Sequence, residues 1–152
     1  MHRMLSCSLG ILLFALGGCA TLVTHATPSG RVETTIEGVG PEQIKSALVN
    51  VMLNRGYSLS HDAAFQIAFD KPVNNVFAQV LLGSQYNVIP NTRVSYTLAQ
   101  VGNATRVIAD LAIITNPNSP FEQRTDMNAS AASNLIQDLL DSLKRRLEAS
   151  PP

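Results

Sequence analysis

Arg93-Val94-Ser95-Tyr96-Thr97-Leu98-Ala99-Gln100-Val101-Gly102-Asn103-Ala104-Thr105-Arg106-Val107-Ile108-Ala109-Asp110-Leu111-Ala112 can be tested against itself as a hairpin. Gly102-Asn103 at the tip makes a two-residue turn with Gly first, as a type II′ turn prefers. That placement sets Leu98 opposite Val107, Tyr96 opposite Ala109 and Val94 opposite Leu111. Side chains alternate with period two along a strand, so these six share one side of a sheet. The other side carries Arg93, Ser95, Thr97, Ile108, Asp110 and Ala112, with Arg93 diagonal to Asp110 as a surface ion pair. Two independently recognisable strands agreeing in register is a stronger sign of a sheet than either alone.

Upstream, Phe65 to Asp70 alternates apolar with polar and reads as a strand with one buried face. Tyr57-Ser58-Leu59 is a short partner strand, with His61-Asp62 as the turn between them. Before this hairpin, Ile44, Ala47, Leu48, Val51 and Met52 recur at helical spacing. The helix starts at Pro41, whose fixed φ suits a first turn, and stops at Gly56. Val73, Val76, Phe77, Val80 and Leu81 repeat the spacing and predict a second, shorter helix ending at Gly83. A short opening strand over Arg31 to Ile36 places Val32, Thr34 and Ile36 on one face and Arg31, Glu33 and Thr35 on the other.

Downstream, Thr115 to Met127 contains Asn116-Pro117-Asn118-Ser119-Pro120, too many breakers for a helix or strand. It predicts a long loop anchored by Phe121. A final helix follows, capped by Asn128 or Ser130, with Leu135, Ile136, Leu139, Leu140, Leu143 and Leu147 as its apolar face. The fold class is therefore α+β: a small curved antiparallel sheet with about three helices mainly on one face, in the order (β)αββαββα.

The N-terminal segment has a different character. Met1-His2-Arg3 supplies a positive start, and Met4 to Leu16 is an uncharged, mainly apolar run, in the length range of a signal-peptide core and too short for a spanning helix. It ends in Leu16-Gly17-Gly18-Cys19, which resembles the lipobox of bacterial lipoprotein precursors: an aliphatic residue, two small residues, then cysteine. The resemblance covers about the first twenty residues. It implies that residues 1–18 are a signal peptide, that Leu16, Gly17 and Gly18 are read by the signal peptidase, and that Cys19 becomes the lipidated first residue of the mature protein. Cys7 lacks a preceding hydrophobic run and is filler in the discarded segment. In diderm lipoproteins Ala20 and Thr21, with no Asp after the cysteine, imply export to the outer membrane. Residues 19–30, rich in Thr, Ser, Pro and Gly, read as a tether with His25 as a bystander, and residues 31–149 as one α+β domain. That domain resembles those of small cell-envelope lipoproteins, and its internal motifs point to no named family.

Removing residues 1–18 from the 152 leaves 134, enough for one core. The mature chain carries 10 Lys+Arg against 11 Asp+Glu, so there is no basic excess to support nucleic-acid binding. Its single cysteine is consumed by lipid. The two mature histidines, His25 and His61, lack metal-ligand spacing, and no nucleophile elbow or phosphate loop is present. No catalytic, cofactor-binding or metal-ligating set is therefore expected. The expected function is a periplasmic, outer-membrane-anchored binding or envelope-assembly accessory module, held on the membrane by its N-terminal lipid and meeting a protein partner in the envelope. Ile108 and Ile114, on the polar side of the last strand, and Phe121 are its candidate partner surface. Two alternatives stay open: an enzyme acting on an envelope polymer through dispersed carboxylates such as Asp62, Asp70 and Asp110, or a carrier of a small molecule or lipid in a cavity between sheet and helices.

Overall fold

The computed structural model describes residues 22–73 and 89–149. Within them six strands form one antiparallel sheet: β1 (Glu33–Glu37), β2 (Ser58–Ala63), β3 (Gln66–Pro72), β4 (Asn91–Val101), β5 (Ala104–Thr115) and β6 (Gln123–Asp126). Two helices, α1 (Pro41–Asn54) and α2 (Ala131–Ala149), join them. The class is α+β, with a larger sheet than the sequence suggests. The helix predicted from Val73 to Gly83 lies outside the described residues apart from Val73, which is not helical and donates its N–H to Pro90 C=O at 2.8 Å.

The β4–β5 hairpin has the predicted register, with Leu98 opposite Val107, Tyr96 opposite Ala109 and Val94 opposite Leu111. Gly102 sits at φ +61°, the left-handed region that the first central position of a type II′ turn requires and that glycine occupies without strain. All six facing residues are buried. They join Ile67 and Phe69 of β3 to form the sheet's contribution to the core.

α1 and α2 cover this same face. From α1 come Ile44, Leu48 and Met52, and from α2 Ile136, Leu139, Leu140 and Leu143. Leu135, expected on the apolar face of α2, is instead 64% exposed. It falls one position outside the stripe that meets the sheet, whose width is set by the neighbouring layer rather than by the helix alone. α1 ends in a Schellman arrangement: Gly56 N–H donates to Leu53 C=O at 2.9 Å and Tyr57 N–H to Met52 C=O at 3.1 Å, with Gly56 at φ +79°.

Three further expectations change. His61 and Asp62 belong to β2, and the turn falls at Ala64-Phe65, because a bulge between Leu59 and His61 carries the strand further before it reverses. The segment Thr115 to Met127 is not all loop. Its second half forms β6 along β5, with Ala112 opposite Asp126 and Thr115 opposite Gln123. The tether is docked: Val23 N–H donates to Ala129 C=O at 2.9 Å, and the His25 ring bonds the Ser133 hydroxyl at 2.8 Å.

α2 also closes the outer edge of β1. Gln137 accepts from Glu33 N–H at 3.0 Å and donates to Glu33 C=O at 3.1 Å. The Lys144 ammonium donates to Thr35 C=O, and Glu148 accepts from Glu37 N–H at 2.8 Å. Alternate residues of an antiparallel strand point both backbone groups outward, so side chains from one helix face satisfy what a further strand would otherwise pair.

Candidate functional site

A cleft of about 380 Å³ lies between the C-terminus of α1 and the N-terminus of α2. Met52 and Ile136 form its helical walls, and Val94 and Leu111 its floor. These four are core residues, 0–6% exposed, so the cleft lies over the hydrophobic interior without opening it. The rim is of different chemistry: Arg55, Tyr57, Lys71 and Thr92 lie on one side, Ala132 and exposed Leu135 on the other.

The α1 cap builds that rim. The left-handed Gly56 turns the chain so that Arg55 and Tyr57 flank the mouth, and the Lys71 ammonium donates to Arg55 C=O at 2.8 Å, capping the helix C-terminus. The same ammonium lies 5.4 Å from the Tyr57 ring centroid, within cation–π range. Its neighbours here are thus a carbonyl and a ring. Among the described residues no carboxylate lies within ion-pair distance of Lys71 or Arg55. Burial raises the pKa of the Tyr57 phenol, with Arg55 opposing, so the rim carries two cations and a neutral phenol at neutral pH. Behind the cleft the Tyr96 hydroxyl touches the Met52 thioether at 3.4 Å, and burial pushes its pKa upward.

The opposite face of the sheet carries a polar groove of about 370 Å³ lined by Ser60, His61, Gln66, Ala68, Arg93 and Ser95. Its cation is already matched. Arg93 makes a bidentate pair with Asp70 at 2.7 and 2.8 Å and reaches Glu122 at 3.0 Å. The predicted Arg93–Asp110 diagonal therefore does not form. Asp70, one strand over, gives planar two-point contact, and Asp110 pairs instead with Arg124 of β6 and with Asn128.

The carboxylates of the enzymatic alternative are held apart in separate ion pairs. Asp62 faces Lys45 at 2.5 Å, Asp70 faces Arg93, and Asp110 faces Arg124. Burial works to raise the Asp70 pKa, and hydrogen bonds from Arg93 and Ser60 outweigh it, leaving the carboxyl below its ordinary value. A general acid needs the opposite displacement. Among the described residues, no group of three His, Cys, Asp or Glu side chains is placed to hold a metal ion, and no helix is long and apolar enough to cross a membrane.

Of the predicted partner residues, Ile114 is fully buried, Ile108 is half-buried and Phe121 is 75% exposed. The three thus make no continuous patch, and Phe121 does not anchor its loop. Cys19, Leu16, Gly17 and Gly18 lie outside the described residues. The cleft residues carry no sequence motif: each reads as core or helix end, and only their convergence across five elements creates the site. No protein-family model matches the chain, and comparison with curated proteins finds no match.

Proposed function

We propose that the chain is a lipoprotein held on the periplasmic face of the outer membrane through Cys19, and that its domain is a non-enzymatic binding module whose binding surface is the helix–sheet cleft. The cleft carries the second part of this reading. A concave site with a few converging polar groups on its rim is the usual form of a small-molecule site, and its volume of about 380 Å³ falls in the usual range of roughly 300–1,000 Å³. This favours the carrier alternative over partner docking through Ile108, Ile114 and Phe121. The pairing of Asp62, Asp70 and Asp110 with separate cations weighs against acid–base catalysis by those residues.

The anchor rests on Leu16-Gly17-Gly18-Cys19 behind an apolar run. Two or more acyl chains give lasting membrane attachment where one gives only marginal binding. Mass spectrometry of the mature N-terminus tests it: we expect an acylated Cys19 as first residue, and Cys19→Ser should leave an unprocessed, unacylated precursor. Cleavage elsewhere with an unmodified Cys19 overturns the anchor. The cleft reading is tested by Ala132→Trp, which fills the mouth. We expect co-purifying small molecules, measured after organic extraction, to be lost from that variant while its unfolding midpoint holds; a wild-type protein that carries none counts against the module.

A further inference from the structure

We propose that the cleft holds a phosphate monoester of a small apolar group, with the phosphate at Arg55 and Lys71 and the apolar part beside Ala132 and Leu135; this deepens the binding-module reading and rests on it. Because Met52, Val94, Leu111 and Ile136 are 0–6% exposed, such a ligand lies on a closed apolar floor and is recognised by the rim. That rim has two chemical sides. Arg55, Lys71, Tyr57 and Thr92 offer charge and hydroxyls, whereas Ala132 and the 64% exposed Leu135 offer hydrocarbon.

The charge on the polar side is unmatched. The described residues hold all eleven Asp and Glu of the sequence, and none of these carboxylates lies within ion-pair distance of Arg55 or Lys71. Lys45, Arg93, Arg106, Arg124 and Lys144 each face one. An ammonium has three donors and the Arg55 C=O takes one at 2.8 Å, so Lys71 caps α1 and still has donors to give.

The polar groups also converge. Burial raises the pKa of the Tyr57 phenol, and the Arg55 guanidinium opposes it. The same guanidinium opposes the rise that burial and the Tyr57 phenol impose on Tyr96. A cation felt by both phenols stands close to them, so guanidinium, ammonium and a neutral phenol donor share one side of the depression. A phosphate monoester brings about two negative charges and three acceptor oxygens, which match two cations and the Tyr57 and Thr92 hydroxyls better than the single charge of a carboxylate. A volume of about 380 Å³ leaves room beyond the phosphate for a small organic group.

The test titrates the full-length chain, in a nonionic detergent, with phenyl phosphate, inorganic phosphate, benzoate and benzyl alcohol, and follows the amide NMR shifts of Tyr57 and Ala132. We expect phenyl phosphate to bind about tenfold more tightly than inorganic phosphate or benzyl alcohol, since each of those lacks one half of the ligand. Its affinity should rise severalfold from about pH 5 to about pH 7 as the second phosphate proton leaves, while that of benzoate, a monoanion throughout, stays level. Arg55→Gln keeps the backbone carbonyl that Lys71 bonds and should weaken phenyl phosphate about fivefold, with part of the loss recovered by Arg55→Lys. Arg31→Gln, at an exposed cation outside the cleft, should change nothing. Benzyl alcohol binding as tightly as phenyl phosphate would overturn the phosphate proposal and leave the binding module standing. A level pH profile for phenyl phosphate, or equal losses from Arg31→Gln and Arg55→Gln, would overturn it too. Unmoved shifts at both amides with all four probes would count against both readings.

Discussion

Arg93 and Asp70 show how a polar face acquires local rigidity. Their side chains are 24% and 13% exposed, so the bidentate pair is partly withdrawn from water and its hydrogen bonds are stronger than those of a surface pair. Arg93→Ala leaves Asp70 half-buried with Ser60, at 3.0 Å, and Asn91 as its remaining side-chain hydrogen-bond donors. We expect a loss of about 2 kcal/mol near neutral pH. Because the folded-state pKa of Asp70 is lowered below its ordinary 3.8, the pair's contribution is complete above that value and fades as pH falls through the lower one. Urea midpoints of wild type and variant should therefore converge as the pH falls below that lowered value; a gap that stays constant would show that the loss is not electrostatic. Glu33 follows the same sign: Arg106 hydrogen bonds lower its pKa, burial opposes, and Ser29 adds to the lowering. Which acid would meet Arg93 was not readable from period-two alternation. That pattern assigns a face, and the partner was decided by which strand lies on the far side of β4.

At the scale of elements, α2 does two jobs with two faces. Leu139, Leu140 and Leu143 enter the core, while Gln137, Lys144 and Glu148 pair the outward backbone of β1. The first face was legible as a 3.6-residue stripe. The second was not, because Gln, Lys and Glu at helical spacing look like any solvated face until the neighbouring strand is known. Gln137→Ala should cost about 1 kcal/mol and expose a strand edge. Amide hydrogen exchange should quicken at Glu33, and the variant should aggregate sooner on heating; unchanged exchange at Glu33 would show that water replaces the amide without penalty. The β4–β5 hairpin was the most legible element, since turn chemistry and alternation specify the same register. β6 was hidden because its four residues, Gln123 to Asp126, are all polar and exposed and hold their place only by pairing with β5.

For the molecule as a whole, the division of labour lies across the sheet. One face carries the helices, the core and the cleft; the other carries ion pairs and a polar groove. The core's dependence on this layering is measurable. Leu140→Ala, at a fully buried position, should cost roughly 3 kcal/mol, and Leu135→Ala, five residues earlier on the same helix, less than about 0.5 kcal/mol. Comparable losses in chemical denaturation would mean that Leu135 is packed and that the cleft mouth is closed. The cleft was the least legible feature for a physical reason. Met52, Val94, Leu111 and Ile136 have the composition of any core, and the depression over them depends on where the ends of two helices meet the sheet, which no local pattern encodes.

The second edge of β5 is shared. β1 pairs with Ala104 to Ile108 and β6 with Ala112 to Thr115. Between them, Val32 C=O accepts from Ala109 N–H at 2.8 Å, Asn128 Oδ1 from Leu111 N–H at 2.9 Å, and Met127 N–H donates to Leu111 C=O at 3.0 Å. One continuous strand is thus completed by two segments from opposite ends of the domain. A chain synthesised from its N-terminus makes β1 first but cannot seat it until β5, about seventy residues later, has been produced. The hairpins β2–β3 and β4–β5 close over short loops and can form early, whereas β1 waits for a distant partner. The first strand made is therefore among the last to be secured, and the interval between the two events is when this protein is most exposed to mispairing.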